Sequence, residues 1–425
     1  MKIASLSTFD NQGGAARAAY RLHQGLKQIE VDSWVLSQSK FSQDPRVVGT
    51  KTSSGIAQAK TGLRLTLDQL PLKRYSQRTK QLFSPHWLPS KVTEQIAELD
   101  PDLLNLHWVS AGYLKIETLA KFKQPLVWTL HDMWSFTGGC HYNQSCQKFT
   151  LACGACPLLG SSKETDLSRQ IWQRKQKAWA DLNLTIVTPS RWLGDSAKAS
   201  SLFGDRRVEV IPYGLDTSIF RPIEPETARK LLKLPQDKQL VLFLSLNATS
   251  DQRKGFHLLQ PALQKLSKSG WQDKLELMVV GASQPQNPPE LGFKTHYLGM
   301  MRDDLTLALA YSAADVFVAP SIQDNLPNTV LEAIACGTPS VAFDIGGMPD
   351  MIEHQHNGYL ARPFAVEDLA QGLAWVLEDP ERQFTLAQAA RAKAEQEFAL
   401  EIQARRYQAL YQEILAASGK LAQGS

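Results

Sequence analysis

The sequence predicts an α/β protein made of two doubly wound parallel-sheet domains. Short apolar runs alternate with amphipathic helical patterns along most of the chain, and this alternation is typical of parallel βαβ units. The chain has 425 residues, which is more than one such core usually holds. A polar, proline-containing passage at residues 211–226 follows the first set of strands, and we expect the domain boundary there.

The predicted elements follow one another as a doubly wound fold requires. Apolar runs of four to eight residues predict strands at 2–7, 31–36, 103–108, 125–130, 184–188, 208–211, 239–246, 275–280, 315–319 and 340–343. Helical patterns lie between them at 14–28, 92–98, 167–181, 256–269, 303–312, 328–336 and 366–377. Residues 383–417 are rich in Ala, Gln, Arg and Glu and predict one or two packed surface helices.

The composition is that of a soluble globular protein, with 43% hydrophobic and 21% charged residues. A formal net charge of +4 indicates no general attraction to nucleic acid. No apolar run reaches the length of a membrane span, and the N-terminus enters a strand pattern without a signal-peptide core. We therefore expect a cytoplasmic protein that binds no nucleic acid.

Residues 51–91 form a basic stretch that differs from the rest of the chain. Asp68 is its single acid, against eight basic residues: Lys51, Lys60, Arg64, Lys73, Arg74, Arg78, Lys80 and Lys91. Aromatic and leucine residues lie between them, so the stretch is suited to the anionic inner face of a membrane or to an anionic acceptor. A solvated charged surface is the alternative.

In a doubly wound domain, ligands bind at the carboxyl ends of the strands. Gly13 and Gly14 follow the first strand and open a helix, where backbone amides can face an anion or a sugar, although a tight turn explains them equally well. His131 ends the strand at 125–130 and could hydrogen-bond a sugar or accept a proton. A structural histidine is the alternative, but His107 and Trp108 repeat the arrangement at another strand end and favour a site.

Four of the five cysteines fall in one short segment, 138–157. They are Cys140, Cys146, Cys153 and Cys156. In a reducing compartment this grouping suggests a structural zinc site with four thiolate ligands. Unligated thiols, disulfides or an iron–sulfur cluster are the alternatives, because only one Cys-x-x-Cys spacing is present.

Two strand-end loops in the second half carry charges that suit a phosphate and a sugar. Arg253 and Lys254 precede a glycine at a loop–helix junction, where they could bind a diphosphate. Asp324 precedes a predicted helix and Glu332 lies inside it, with Asn325 as its expected N-cap. Either pair of residues alone is better explained as ordinary surface charge. Because both pairs occur in one predicted domain, a ligand site is favoured.

Several motifs together resemble the family-four glycosyltransferases of the GT-B fold. They are Gly13-Gly14, TLHD at 129–132, VIPYGLDTSIF at 210–220, RKG at 253–255, YLG at 297–299, YSAADVFVAPS at 311–321, the Asp324–Glu332 pair, ACGTPSVAFDIGGMPD at 335–350 and NGYLARP at 357–363. The segment WTLHDMWSFTGGCHY at 128–142 further resembles a subgroup found in exopolysaccharide and colanic-acid gene clusters.

The resemblance implies two Rossmann-like domains facing a cleft: residues 1–217 for the acceptor, 218–395 for the donor, and a C-terminal helix at 396–425 that returns to the first domain. It implies retaining transfer of a hexose from a UDP- or GDP-sugar to a hydroxyl of a glycan or lipid-linked acceptor. It implies no catalytic metal and no cofactor besides this nucleotide-sugar co-substrate. A sugar-nucleotide epimerase, a phosphorylase or a non-catalytic binding module are the alternative functions.

The resemblance also implies a role for each site residue. His131, Asp324 and Lys254 would act at the reacting centre, with Lys254 and Arg253 on the diphosphate and Glu332 on the ribose. Asp324 and the backbone of Asn325, Leu326, Pro327 and Asn328 would hold the transferred sugar. Gly13 and Gly14 would approach the phosphates or the acceptor.

Three positions depart from the family pattern. Asp324 replaces the usual glutamate, and Asn325-Leu326-Pro327 replaces a Gly-Phe-Gly turn. Ala248 stands where the family usually has an arginine, which leaves Arg253 as the arginine expected on the diphosphate. We expect these departures to affect the choice of sugar more than the type of reaction.

Overall fold

The computed structural model describes residues 1–51, 55–244, 251–301 and 303–419. The chain divides into two compact units, Met1–Gly214 with Gln403–Ser425, and Leu215–Ile402. Ala248, one of the departures noted above, lies outside the described residues.

The first unit contains a parallel sheet of seven strands in the order β3-β2-β1-β4-β5-β6-β7. The strands are β1 (Lys2–Phe9), β2 (Asp32–Lys40), β3 (Val47–Lys51), β4 (Leu103–Leu106), β5 (Leu126–Thr129), β6 (Leu184–Thr188) and β7 (Val208–Val210). The helices are α1 (Gly14–Gln28), α2 (Gly55–Asp68), α3 (Val92–Leu99), α4 (Leu167–Trp179) and α5 (Arg191–Ala199). The order of the strands reverses between β1 and β4, which in such sheets opens a crevice for ligands.

The second unit contains a parallel sheet of six strands in the order β10-β9-β8-β11-β12-β13. The strands are β8 (Gln239–Leu244), β9 (Leu275–Val280), β10 (Thr295–Gly299), β11 (Val316–Ala319), β12 (Ser340–Phe343) and β13 (Gly358–Ala361). The helices are α6 (Pro225–Leu232), α7 (Phe256–Leu266), α8 (Asp304–Ala313), α9 (Asn328–Ala335), α10 (Met348–Met351), α11 (Val366–Leu377) and α12 (Pro380–Glu397). Here the strand order reverses between β8 and β11.

The predicted fold class of two doubly wound, Rossmann-like parallel sheets is confirmed. The three strands that the sequence did not predict are β3, β10 and β13, and each lies at the edge of its sheet. An edge strand has a neighbour on one side only, so its side chains need not form the continuous apolar run of a central strand. All five residues of β10 are only partly buried.

Helix starts in both units follow from short polar side chains that accept backbone hydrogen bonds. Asp166 accepts from the amides of Ser168 and Arg169 at the start of α4. Asp303 does the same for Thr306 at the start of α8. These caps fix where each helix leaves its loop, and so they fix the direction of the strand-end loops.

The last helix, α13 (Leu400–Ala417), packs against the sheet of the first unit. Tyr407 and Tyr411 are fully buried beside Ile3, Leu103 and Val127. Their hydroxyl groups enter a chain of hydrogen bonds with the central strands. Thr129 donates to Asn105 over 3.0 Å, so the 2.9 Å contact between Thr129 and Tyr407 places the proton on the tyrosine.

Asn105 continues this chain by donating to the Tyr411 hydroxyl over 2.7 Å. We expect Tyr411→Phe to lower the free energy of unfolding by about 1–3 kcal/mol, because a buried amide donor then lacks its acceptor. Urea denaturation followed by tryptophan fluorescence measures the change. Tyr297→Phe, at a partly buried position in β10, is the control and should change stability by less than about 0.5 kcal/mol. Equal effects of the two variants would contradict the role given to this hydrogen bond.

Candidate functional site

The carboxyl ends of β8 and β11 bring three charged side chains of the second unit together. The Lys254 ammonium lies 2.8 Å from an Asp324 carboxylate oxygen, and the Arg253 guanidinium lies 3.3 Å from the same oxygen. Ser321 donates a hydrogen bond to it over 3.3 Å. Residues that are 70 positions apart in sequence therefore form one charged cluster at the point where the strand order reverses.

The two cations keep Asp324 ionised although its side chain is buried. Burial alone would raise the pKa of Asp324, but Lys254 and Arg253 outweigh that effect and lower the pKa to about 2. The backbone amide of Asn325 adds a hydrogen bond of 3.1 Å to the other carboxylate oxygen. Arg253 also pairs with the Asp251 carboxylate at 3.2 Å. The carboxylates of Asp324 and Asp251 thus hold two cations in fixed positions at the strand ends, an arrangement that suits an anionic group.

Two glycines let the backbone close around this cluster. Gly255 has a φ of +72°, and a Cβ there would lie 1.7 Å from the carbonyl oxygen of Pro320. Gly346 has a φ of +54°, and its Cβ would lie 2.0 Å from the carbonyl oxygen of Asp324. Neither position has room for a side chain. Only glycine therefore lets the backbone segments that carry the cations and the carboxylate approach each other this closely.

Helix α9 begins at Asn328, as predicted, but its N-cap differs from the expected residue. Its N-cap is Pro327 and its first residue is Asn328, so the expectation that Asn325 caps the helix is wrong. Proline disfavours helical geometry in the residue before it, here Leu326, and thereby moves the start of the helix beyond Pro327. Asn325 and Leu326 are buried beneath the loop, and the Asn325 amide binds Asp324 instead.

Glu332 lies on α9 and is 2% exposed. The Tyr311 hydroxyl of α8 donates a hydrogen bond of 3.0 Å to its carboxylate. A buried carboxylate with a fixed orientation is a suitable acceptor for a pair of hydroxyl groups. Tyr311, which fixes that orientation, was not singled out in the sequence.

In the first unit, His131 is the middle member of a row of three hydrogen-bonded rings. Its Nε2 lies 3.0 Å from Nδ1 of His107, and its Nδ1 lies 2.6 Å from the Tyr213 hydroxyl. Burial lowers the pKa of His131 to about 4, although Asp132 acts in the opposite direction. Burial and the neighbouring His131 likewise hold the pKa of His107 well below its usual range. Both rings are therefore neutral at pH 7.

Asp132, the next residue, anchors a second polar network. Its carboxylate accepts from Trp108 Nε1 over 3.0 Å and lies 2.6 Å from His141 Nδ1, while His141 Nε2 lies 2.8 Å from the Ser84 hydroxyl. Ser84, His141 and Asp132 thus have the order of a hydrolytic triad, but Ser84 is 1% exposed. The network fixes Asp132 and Trp108 beside the rings of His107 and His131.

The glycine loop lies at the carboxyl end of β1. Gly13 has a φ of +90° and serves as the N-cap of α1, and a Cβ at this position would meet no atom within 4 Å. Gly13 and Gly14 are both exposed. Gly13 therefore provides the positive φ that this turn requires. Its lack of a side chain leaves the surface at the start of α1 open to a ligand.

The four clustered cysteines line one small cavity with a volume of about 20 Å³. Burial raises the pKa of the Cys153 thiol to about 11, with the Gly138 amide acting in the opposite direction. Within the described ranges, no group of three His, Cys, Asp or Glu side chains is already arranged to hold a metal ion.

The basic stretch is only partly described, because residues 52–54 lie outside the described ranges. Arg64 uses its guanidinium internally, on the carbonyl oxygens of Pro89 and Gly112 at 2.6 Å each. Lys73, Arg74, Arg78, Lys80 and Lys91 are exposed. Among the residues described, no helix is long and apolar enough to cross a membrane.

Two family models match the chain over most of its length. Residues 12–219 match the model described as Glycosyltransferase Family 4. Residues 238–379 match the model described as Glycosyl transferases group 1. The first match contains the ring row and the glycine loop, and the second contains the charged cluster.

Curated proteins with similar sequences carry related names. A putative colanic acid biosynthesis glycosyl transferase, WcaC of Escherichia coli, is 26% identical over 57% of this chain and 60% of its own length. A D-inositol 3-phosphate glycosyltransferase of Segniliparus rotundus is 30% identical over 44% of this chain and 43% of its own length. The matched regions thus span less than two thirds of these relatives.

Solved structures share the fold of the whole chain. Sucrose-phosphate synthase from Thermosynechococcus elongatus has a TM-score of 0.71 at 19% identity and covers 98% of this chain and 99% of its own. Anabaena Alr3699/HepE, determined with UDP-glucose, has a TM-score of 0.64 at 19% identity and covers 97% of this chain and 100% of its own. At such identities the likeness establishes the fold alone.

The close approach at Gly255 can be tested against a glycine that has only a conformational requirement. Gly270 has a φ of +86°, and a Cβ at that position would have no atom within 4 Å, so Gly270→Ala should cost about 1 kcal/mol. Gly255→Ala adds a backbone clash and should cost more than about 3 kcal/mol. Urea denaturation of both variants measures the difference, and equal losses would show that Gly255 is not in close contact.

The neutral state of His131 should appear in the pH dependence of stability. Its folded pKa of about 4 lies below the value of 6.5 for an unperturbed histidine, so the unfolded chain binds the proton first as the pH falls. This residue's contribution is fully present above pH 6.5 and falls by about 2 kcal/mol between pH 7 and pH 5. Unfolding free energies at the two pH values measure the loss.

His131→Asn should reduce that loss by the same amount. His257→Asn, at an exposed position, is the matched control and should keep the pH dependence of the original chain. A His131→Asn variant with an unchanged pH dependence would contradict the buried neutral ring.

Proposed function

The chain belongs to the family-four glycosyltransferases of the GT-B fold, and on that premise we propose that it transfers a hexose from a nucleotide diphosphate sugar to a hydroxyl group. The observation that carries the proposal is the charged cluster of Arg253, Lys254 and Asp324 at the carboxyl ends of β8 and β11. The donor is a UDP- or GDP-sugar and the acceptor a glycan or a lipid-linked sugar. The configuration at the anomeric carbon is retained.

Lys254 and Arg253 bind the diphosphate in this proposal. As the bond to the sugar breaks, negative charge accumulates on the leaving phosphate, and cations already in place stabilise it without having to reorient. Asp324 supports this role before the donor arrives, because its carboxylate holds both cations at the strand ends. The phosphates then take over the cations, which releases the Asp324 carboxylate to accept hydrogen bonds from the sugar.

Glu332 binds the ribose of the nucleotide. Its carboxylate is buried and oriented by Tyr311, so it can accept hydrogen bonds from the two neighbouring hydroxyl groups of a ribose. Asn325, Leu326, Pro327 and Asn328 line the sugar with their backbone, and Asp324 makes the discriminating contact. A glutamate at that position would reach one methylene further, and we propose that the aspartate selects the sugar.

His131 acts as a neutral hydrogen-bonding group. A histidine with a pKa of about 4 carries no proton to donate as an acid at pH 7, and Tyr213 and His107 hold its ring in one orientation. It therefore lies beside the reacting centre as a fixed, neutral polar group, and the proton of the acceptor passes to the leaving phosphate. Gly13 and Gly14 present the start of α1 to the phosphates or the acceptor.

The names of similar proteins narrow the substrates. Anabaena Alr3699/HepE was determined with UDP-glucose, and the relative from Escherichia coli is named for colanic acid biosynthesis. We therefore place a UDP-hexose first among the donors and a growing polysaccharide first among the acceptors. The exposed cations from Lys73 to Lys91 would bring the enzyme to the inner face of a membrane that holds a lipid-linked acceptor.

Lys254→Ala tests the proposal. Removing the charge that faces the leaving phosphate should lower the rate of transfer by about 10²–10³-fold. The measurement is mass-spectrometric detection of the product, with a panel of UDP- and GDP-hexoses and a short polysaccharide acceptor. Lys265→Ala, which removes an exposed lysine paired with Glu367 at 3.0 Å, is the matched control and should keep the original rate.

Other outcomes would contradict the transferase. Conversion of a donor into its epimer without an acceptor would indicate an epimerase, and release of a sugar phosphate would indicate a phosphorylase. No thermal stabilisation by UDP, GDP or their sugars would indicate a binding module. A Lys254→Ala variant that transfers the sugar at nearly the original rate would contradict the proposal that Lys254 binds the diphosphate.

A further inference from the structure

The segment that follows β5 brings four thiol groups to one cavity. Cys140, Cys146, Cys153 and Cys156 all line it, together with Phe83, Asn143, Lys148 and Phe149. The cysteines span only 17 residues of sequence. All four sulfur atoms are free thiols. A loop of this length that turns its cysteines inward onto one cavity is typical of a metal-binding loop.

The backbone between the last two cysteines is held in an unfavourable conformation. Cys153, Gly154 and Ala155 have successive φ values of +49°, +110° and +41°. Positive φ costs free energy at the two residues that carry a Cβ, so another interaction must offset it. These are the first three residues of the Cys-x-x-Cys spacing, and their geometry turns both sulfur atoms toward the same side.

Backbone amides point at these sulfur atoms. The Gly138 amide donates to the Cys153 sulfur over 3.1 Å, and the amides of Leu158 and Leu159 interact with the Cys156 sulfur. These contacts fix the positions of the Cys153 and Cys156 sulfur atoms at the cavity that all four cysteines line.

Two lysines supply positive charge next to the cavity. Lys175 is fully buried, and its ammonium contacts the carbonyl oxygens of Trp134 and Thr137 and interacts electrostatically with Cys153 and Cys140. Lys148 lines the cavity and donates to the carbonyl oxygens of Gly154 and Ala155 over 3.1 Å each. Burial lowers the pKa of Lys175 well below its usual range, and Cys153, Cys140 and Asp132 act in the opposite direction.

We propose that Cys140, Cys146, Cys153 and Cys156 bind one zinc ion as a structural site. Four thiols lose four protons, four zinc–sulfur bonds form, and no electron is transferred. The resulting centre carries a net charge of about −2, which the ammonium groups of Lys175 and Lys148 offset. Because no three ligands in the described residues are already arranged around a metal position, the cysteine side chains must converge by rotation when zinc binds.

The zinc would fix the loop that supports the ring row. His141 follows Cys140 directly and holds Asp132 at 2.6 Å, while the Met133 amide donates to the His141 carbonyl over 2.9 Å. Loss of the metal should therefore loosen Asp132 and Trp108, which lie far in sequence from Cys153 and Cys156. The site is structural and lies outside the transfer reaction proposed above.

Metal analysis of the purified full chain tests the proposal. Elemental analysis should find about one zinc per chain, and replacement by Co²⁺ should give the absorption bands of a tetrahedral cobalt–thiolate centre. Cys140→Ser and Cys156→Ser should each lower the zinc content at least tenfold. Cys336→Ala, which changes the buried cysteine of the second unit, is the matched control and should retain the metal. Removal of zinc by a chelator should lower the melting temperature, and added zinc should restore it.

Three results would overturn the site. A metal-free chain whose intact mass is about 2 or 4 Da lower would show disulfides, and iron with inorganic sulfide would show an iron–sulfur cluster. Zinc that stays bound in both serine variants would show that other residues hold it. Because the cobalt spectrum and the chelator experiment use the unsubstituted chain, they decide the question even where a serine variant fails to fold.

Discussion

A carboxylate buried as deeply as that of Asp324 would normally bind a proton, and here it stays ionised because Lys254 and Arg253 lie within 3.3 Å. The candidate site depends on this balance. It joins the loop after β8 to the loop after β11. Gly255 and Gly346 are glycines because the loops after β8 and β12 each touch the loop after β11 at the backbone. Removing Asp324 would take from Lys254 the carboxylate that it contacts at 2.8 Å. In the proposed function, a phosphate takes the place of this carboxylate beside the cations.

In the first unit, by contrast, the buried rings of His107 and His131 are neutral. They are held by hydrogen bonds of His131 to His107 and to Tyr213. Asp132 keeps its charge there, because His141, the Trp134 amide and Trp108 surround its carboxylate. The second unit therefore buries paired opposite charges at its strand ends, whereas the first unit buries neutral rings beside one ionised carboxylate.

The central strands and most helices could be predicted from the sequence because burial on both faces imposes continuous apolar runs, as in β6 and β9. Strands β3, β10 and β13 could not, since an edge position relaxes that requirement. At the site, Arg253, Lys254, Asp324 and His131 carry chemistry that residue type and motif reveal. Their partners were not predictable in the same way: Tyr213 lies 82 residues from His131, and only the folded chain brings the two together. The N-cap of α9 was misjudged because the capping preference of Asn325 was given more weight than the effect of Pro327 on Leu326.

The packing of α13 has a consequence for biosynthesis. Asn105 and Thr129 lie in the middle of the N-terminal sheet, yet their partners Tyr411 and Tyr407 follow 306 and 278 residues later. At about 5–20 residues per second, a ribosome needs roughly 15 to 60 seconds to produce that interval. During this time the second unit can emerge and fold completely, while the first unit has an uncovered apolar face and unpaired polar groups. The half of the protein that is made first is thus the half that is finished last, and chaperones have that interval in which to bind it.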